Sequence, residues 1–263
     1  MATKKTTQKT PKAAKEPKAK KPVREVAIVH YNTPMLTEAA ILSLRKHGGE
    51  DYHVTIFDNS DVAPFKTKMK GVKVIDNTKG QVIDFDKFLA EYPDRNETIG
   101  CAYGCVFGSA KHMRTVQELW KLLPKGFLLM ESDILLKQSI DFMFMDDQAI
   151  CGHVQWEQPG NPYRIGRIMP LLCWMNVPVL VKHGAKYFDP ERTYGLLKDR
   201  NNPKNWYDTG APLLEDVRTK KPELHGKGID IRPIMEHYKS ASWRRQDVKE
   251  QQAWLEKHKD LWK

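Results

Sequence analysis

The pattern between residues 26 and 75 constrains this chain more than any other feature. An apolar run, VAIV at 26–29, precedes a segment of helical period from Met35 to Lys46, and the alternating run HVTIF at 53–57 and VKVI at 72–75 follow. Apolar residues arriving first in a block, then every three to four positions, then in alternation describe strand, amphipathic helix and strand. Strands joined through helices pair in parallel and are covered on both faces. The expected fold is therefore α/β, with a mostly parallel central sheet flanked by helices. Pro34 suits the first turn of the helix and Gly48 with Gly49 suit its end. Residues 81–91 read as a short helix, 108–123 as a longer one stopped at Pro124, and GFLLM at 126–130 as a buried central strand. Beyond residue 140 the runs SIDFMF, QAICGHV and VPVLV read as strands with fewer helices between them, so mixed strands are expected in the C-terminal half. Residues 211–220 read as a helix. So do residues 243–262, where Val248, Leu255 and Trp262 recur at seven-residue intervals on a face that would pack on the body.

Charge is distributed unevenly. The net charge is +10, but residues 1–24 hold nine Lys or Arg against the single acid Glu16, a local +8 that leaves +2 for the rest. These 24 residues are made almost wholly of Lys, Ala, Thr and Pro, too few apolar side chains to form a core, and they read as a disordered basic tail. Lysines without aromatics attract phosphate without reading sequence, and the near-neutral body continues no basic stripe. A nucleic-acid-binding protein is thus the weaker class, and weak contact with an anionic surface is the alternative use of the tail. No apolar run follows the basic start as a secretory signal would require, and the most apolar stretch, 168–181, is interrupted by Pro170 and Pro178. Four cysteines, Cys101, Cys105, Cys151 and Cys173, lack zinc-site spacing and read as free thiols of a reducing cytosol. The expected location is cytoplasmic, with the inner face of a membrane as a peripheral alternative.

In a parallel sheet, ligands gather at the carboxyl ends of the strands, so the residues just after each strand are the ones to read. The first strand ends in His30, Tyr31, Asn32, Thr33 and Pro34, with no glycine, which excludes the G-x-G-x-x-G phosphate cradle. The second ends in Asp58, Asn59, Ser60 and Asp61, small polar residues that suit either a ribose contact or a plain turn. After GFLLM come Glu131, Ser132 and Asp133. Two acids one residue apart at a strand end repel unless a cation neutralises them, and Mg²⁺ or Mn²⁺ suits such a pair with phosphate and water completing its shell. An isolated acid pair is equally compatible with a helix cap or open surface.

Taken together, VAIVHYNTP, the helix containing ILSLRKHG, HVTIFDNSD, the helix from about Gly108 and GFLLMESDI resemble the nucleotide-binding half of glycosyltransferase family 2. The resemblance implies a GT-A, Rossmann-like fold and a metal-dependent transfer from a nucleotide-diphosphate sugar, with inversion. Donor contacts would come from His30, Tyr31, Asn32, Asp58, Asn59, Ser60, Lys111, His112 and Ser132. The family's D-x-D motif, holding the metal, would fall on Glu131 and Asp133, with Glu in the first place as a departure. His237, in MEHYKSASW, maps to a third ligand, with His225 as runner-up. The acceptor half's acid pair maps to Glu215 and Asp216, with Asp216 as base and Asp208 an alternative. Both acids of that pair also suit an exposed helix face. Trp156 and Trp206 could stack on a sugar. The implied organisation is a tail over 1–24, a nucleotide-sugar half over 25–135, an acceptor half over 136–242 and an amphipathic helix over 243–263. The acceptor stays open among glycan, lipid-linked sugar and protein. A nucleotide-sugar binder or a nucleotidyltransferase is the competing class.

Overall fold

The computed structural model describes residues 23–49, 51–90, 105–155, 166–189, 192, 209–239 and 247–263. A seven-stranded sheet runs through the molecule. Its strands are β1 (Arg24–His30), β2 (Tyr52–Asp58), β3 (Val72–Asp76), β4 (Phe127–Met130), β6 (Ile150–Gln155), β7 (Arg167–Met175) and β8 (Gly226–Gly228), in the order β3-β2-β1-β4-β7-β6-β8. The pairs β1–β2, β2–β3, β1–β4 and β6–β8 are parallel, whereas β7 runs antiparallel to both β4 and β6. A mostly parallel sheet with a mixed C-terminal half, flanked by helices, is what the periodicity predicted. Strands β5 (Ile134–Leu136) and β9 (Met235–His237) form a separate antiparallel pair.

Helices cover both faces. They are α1 (Pro34–Gly48), α2 (Phe85–Ala90), α3 (Cys105–Leu122), α4 (Val177–Lys182), α5 (Ala211–Glu215) and α6 (Val248–Lys257). Along β4 successive residues turn to opposite faces. Phe127 and Leu129 pack with α3, α4 and α5 residues such as Met113, Leu180 and Leu213, while Leu128 and Met130 pack with Ala40, Ile41 and Leu44 of α1. Every residue of β4 is buried, which is why it reads as a continuous apolar run rather than an alternation.

Two expected strands are not strands. VPVLV is helix α4: Asn176 caps it through its side-chain oxygen, which accepts from the Val179 N–H, and Pro178 sits in the first turn where its missing N–H costs nothing. The β-branched composition suggested a strand, but the cap and the proline prevail. SIDFMF holds a single 3-10 turn, Asp141–Met143, because Asp141 is bound by Arg24 and by the Tyr52 hydroxyl, at the beginnings of β1 and β2. Arg24, counted with the tail, thus opens β1. The helix expected over 211–220 is α5 continued by a π turn, Asp216–Lys220. The C-terminal helix is shorter than expected; Leu255 is buried but Val248 is exposed, so the seven-residue stripe packs only in part. Cys151 and Cys173 are buried free thiols, the first pushed up to about 11 by burial. Cys101, Asp208, Trp156 and Trp206 lie outside the described residues.

Candidate metal and donor site

At the carboxyl ends of β1 and β2 the chain folds into a tight polar loop. Asn32 takes a left-handed conformation, φ 56°, which asparagine tolerates better than most residues. Its side-chain oxygen accepts from the N–H groups of Val62 and Ala63 at 3.0 and 2.9 Å, and its backbone N–H donates to Ser60 Oγ at 2.9 Å. Asp58, 1% exposed, accepts from the N–H groups of Ser60 at 2.9 Å and Phe65 at 2.7 Å. Asn59 donates to Thr115 Oγ1 and accepts from the Asn77 side chain, both at 2.9 Å. His30 is fully buried between Thr37 Oγ1, 2.7 Å from Nδ1, and the Ala63 carbonyl, 3.3 Å from Nε2. Burial lowers its pKa, outweighing the opposing pull of Asp58. Four of the residues expected at the donor, His30, Asp58, Asn59 and Ser60, therefore make hydrogen bonds that shape the loop.

The loop leaves Tyr31 and Asp61 facing outward. The Tyr31 hydroxyl donates to Asp61 Oδ2 at 3.0 Å and Asn32 Nδ2 donates to Asp61 Oδ1 at 2.5 Å. The Asn32 bond holds the Asp61 carboxyl below its usual range, with Tyr31 and the Lys111 charge adding to it. Lys111 lies over the Phe85 ring at 5.3 Å. His112, next along α3, places its ring 6.4 Å from that of Tyr187. Asp61 stood in the polar segment after β2 but carried no signal separating it from its three neighbours, since exposure depends on where the loop folds.

Beside this loop, β4 ends at Met130, and three intervening residues lead to the start of β5 at Ile134. The short connection is fixed from three sides: the Glu131 N–H donates to the Leu171 carbonyl at 3.0 Å, Ser132 Oγ lies 3.4 Å from Thr33 Oγ1, and the Tyr238 N–H donates to the Asp133 carbonyl at 2.9 Å. Ile134 pairs with His237 across β5–β9, which brings the histidine from more than a hundred residues away to the acid pair. Glu131, Asp133 and His237 each present one ligand atom, all within 4.8 Å of one another. His237 Nε2 is 3.5 Å from Asp133 Oδ2, while Asp133 Oδ1 is buried with no hydrogen-bond partner among the described residues. Burial, the largest influence on His237, pulls its pKa down, but the Asp133 hydrogen bond and the charges of Asp133 and Glu131 overcome it and leave it raised. A buried carboxylate oxygen without a donor is costly and is the place where a cation would fit. Two carboxylates and an imidazole are a donor set suited to Mn²⁺ or Mg²⁺. His225, the alternative ligand, does not join them: its carbonyl accepts from Ala149 N–H, just before β6, at the opposite end of the sheet.

The second acid pair, Glu215 and Asp216, has a different setting. Asp216, 2% exposed, takes hydrogen bonds from Arg192 Nη1 and Nη2 at 3.1 and 3.0 Å and from the Lys186 N–H at 2.9 Å. Arg192 also donates to Glu215, to Asp189 and to the Pro212 carbonyl. Both oxygens of Asp216 are thus occupied by donors of the chain itself. Gly210, just before α5, lies at the site end of the sheet, where its carbonyl accepts from the Ile168 N–H at 3.5 Å. From there α5 descends, so Asp216 sits about 9 Å below that level at the helical rise.

Neither a protein-family model nor a curated protein matches the chain. Among solved structures it is similar to the galactosyltransferase LgtC in complex with donor and acceptor sugar analogs, at 12% identity over 79% of this chain and 74% of that one, with a TM-score of 0.47. It is also similar to the mannosyltransferase Ktr4p from S. cerevisiae in complex with GDP, at 12% identity over 86% and 76%, with a TM-score of 0.46. Mouse xyloside xylosyltransferase 1 shares 12% identity over 79% of this chain and 85% of its own, with a TM-score of 0.44. No helix of the described residues is long and apolar enough to cross a membrane.

Proposed function

We propose that this chain is a metal-dependent glycosyltransferase of the GT-A type that moves a sugar from a nucleotide-diphosphate sugar to an acceptor hydroxyl with inversion. The observation that carries this reading is the Glu131, Asp133 and His237 cluster at the carboxyl end of the central strand β4, with a buried acid oxygen that has no hydrogen-bond donor among the described residues. These three residues would hold Mn²⁺ or Mg²⁺. The chemistry an ion supplies when bound there is neutralisation of the charge growing on a leaving diphosphate.

The chain's own residues have distinct tasks in this reading. Tyr31 and Asp61 offer a hydroxyl and a carboxylate, held by Asn32, to a ribose or a base edge, and Lys111 faces the same rim. Ser132, between the two acids, is fixed beside Thr33. The acceptor hydroxyl must lose its proton as it attacks, which requires a base within hydrogen-bond reach. Of the three acids implied by the sequence, Asp216 and Glu215 are bound by Arg192. Asp208, outside the described residues, is the third acid of that set and precedes Thr209 in the sequence. We therefore assign Asp208 as the base, with Asp216 and Glu215 anchoring the helix that follows.

Calorimetric titration with a panel of nucleotide-diphosphate sugars, with and without Mn²⁺, tests the reading. Asp133→Ala is expected to lose metal-dependent donor binding, and Asp208→Asn to keep binding but lose turnover. Wild-type affinity for Mn²⁺ and donor in Asp133→Ala would defeat the proposal. Release of pyrophosphate instead of nucleoside diphosphate would make the chain a nucleotidyltransferase.

A further inference from the structure

The smallest of the three apolar clusters borders the metal corner and contains no residue of the seven-stranded sheet. It joins Leu36 and Ala39 of α1, Leu135 of β5, Tyr238 just after β9 and Leu255 of α6, with Met35, Trp254, Leu261 and Trp262 packed against them. Most of its members have a second anchor close by. Ala40, Ile41 and Leu44 of α1, Ile134 and Leu136 of β5 and Met235 of β9 all belong to the larger cluster on the sheet. Tyr238 does not: its ring packs in the small cluster, to which α6 contributes Trp254 and Leu255.

Tyr238 connects α6 to the metal corner. Its hydroxyl donates to Glu250 Oε2 at 3.2 Å and its ring lies 5.4 Å from that of Trp254, both on α6. Its backbone N–H donates to the Asp133 carbonyl at 2.9 Å, and the residue before it is His237. Strands β5 and β9 have three residues each, and so short a pair is marginal unless something packs against it. Helix α6 is itself lightly held. Only Gln251 and Leu255 of it are buried, and the tie from the segment after it to the end of α1, Lys46 Nζ donating to the Asp260 carbonyl at 2.5 Å, is exposed. An element with so little buried surface opens more readily than the sheet does.

We propose that docking of α6 sets the geometry of the metal corner through Tyr238, so that cation binding and α6 docking strengthen each other. With α6 in place, Tyr238 is the positioning residue that fixes the Asp133 backbone and the His237 preceding it. With α6 displaced, Tyr238 loses its Trp254 and Glu250 contacts, and the 3.5 Å approach of His237 to Asp133 is no longer enforced. Coupling of this kind is reciprocal: by whatever factor opening of α6 weakens the cation, the cation opposes that opening. The inference rests on the reading of Glu131, Asp133 and His237 as a metal site and extends it to a helix that supplies none of the three ligands.

Mn²⁺ alone, without any sugar, is to be titrated into full-length protein and the free ion followed by electron paramagnetic resonance. Leu255→Ala is expected to weaken Mn²⁺ about tenfold, since a corner competent in a tenth of the molecules binds a tenth as well. Leu255→Met, close in volume, should restore the affinity. Leu180→Ala, fully buried in α4 within a different cluster, should lower the melting temperature yet leave Mn²⁺ affinity as it was. In the wild type, saturating Mn²⁺ should slow amide exchange in α6, read by mass spectrometry, at least about tenfold, and leave the short helix α2 unchanged. That measurement decides the matter even if Leu255→Ala fails to fold. Wild-type affinity in Leu255→Ala, equal weakening in Leu180→Ala, or α6 exchange indifferent to Mn²⁺ would overturn the coupling while leaving the metal site standing. A wild-type protein that binds no Mn²⁺ would instead remove the metal site itself, and the coupling with it.

Discussion

Asp133 shows how much one side chain's surroundings add to its identity. An acid in an E-S-D string is ordinary; an acid with a buried oxygen lacking a donor among the described residues, 3.5 Å from a histidine of β9, is a candidate ligand for a cation. Gly210 makes a comparable point about backbone. At φ 81° a side chain is strained, and a Cβ there would lie 2.1 Å from the Ile168 carbonyl oxygen. Gly210→Ala is expected to cost about 3 kcal/mol or more, read by denaturant unfolding, since strain and overlap both act. His30 carries a pH signature. Burial holds its folded pKa below the ordinary 6.5, so the unfolded chain takes up the proton first as pH falls. Its contribution is fully present above 6.5 and is lost as pH falls toward the depressed folded value. The melting temperature should therefore drop between neutral and mildly acidic pH, and His30→Gln should flatten that part of the profile.

At the scale of elements, the ion cluster around Arg192 does most to hold α5 in place. Its guanidinium side chain is 10% exposed and Asp216 3%, and it joins the chain after α4 to the start and end of α5. Removing one member leaves a buried charge unmatched. Arg192→Met is expected to cost about 3–5 kcal/mol, Asp216→Asn somewhat less, and the double variant less than the sum of the two, in denaturant unfolding. The Asp230 and Arg232 pair, exposed and solvated, should give no measurable change when Asp230→Asn is made. Helix α4 shows what patterning misses. VPVLV has strand composition, yet a capping Asn176 and a proline in the first turn place it in a helix, and those two residues were visible in the sequence all along. Strand β9 offered no such signal: three residues paired with β5 are too short to stand out.

For the molecule as a whole, a sheet covered on both faces makes a simple prediction. Leu128 and Leu129, adjacent in β4 and both fully buried, point into different clusters. Leu128→Ala and Leu129→Ala should each cost about 2–5 kcal/mol, whereas a sheet with one open face would show one large loss and one small. The α/β class, the positions of the first four strands along the chain and the acid pair after β4 were legible because apolar periodicity and local strand ends are written over short stretches of chain. The partner of that pair, the occupied oxygens of Asp216 and the outward turn of Asp61 were not. Each depends on residues distant in sequence being brought within a few ångströms, and no local pattern encodes such a distance; pairing across β5–β9, the descent of α5 and the packing of α6 along α1 decide it.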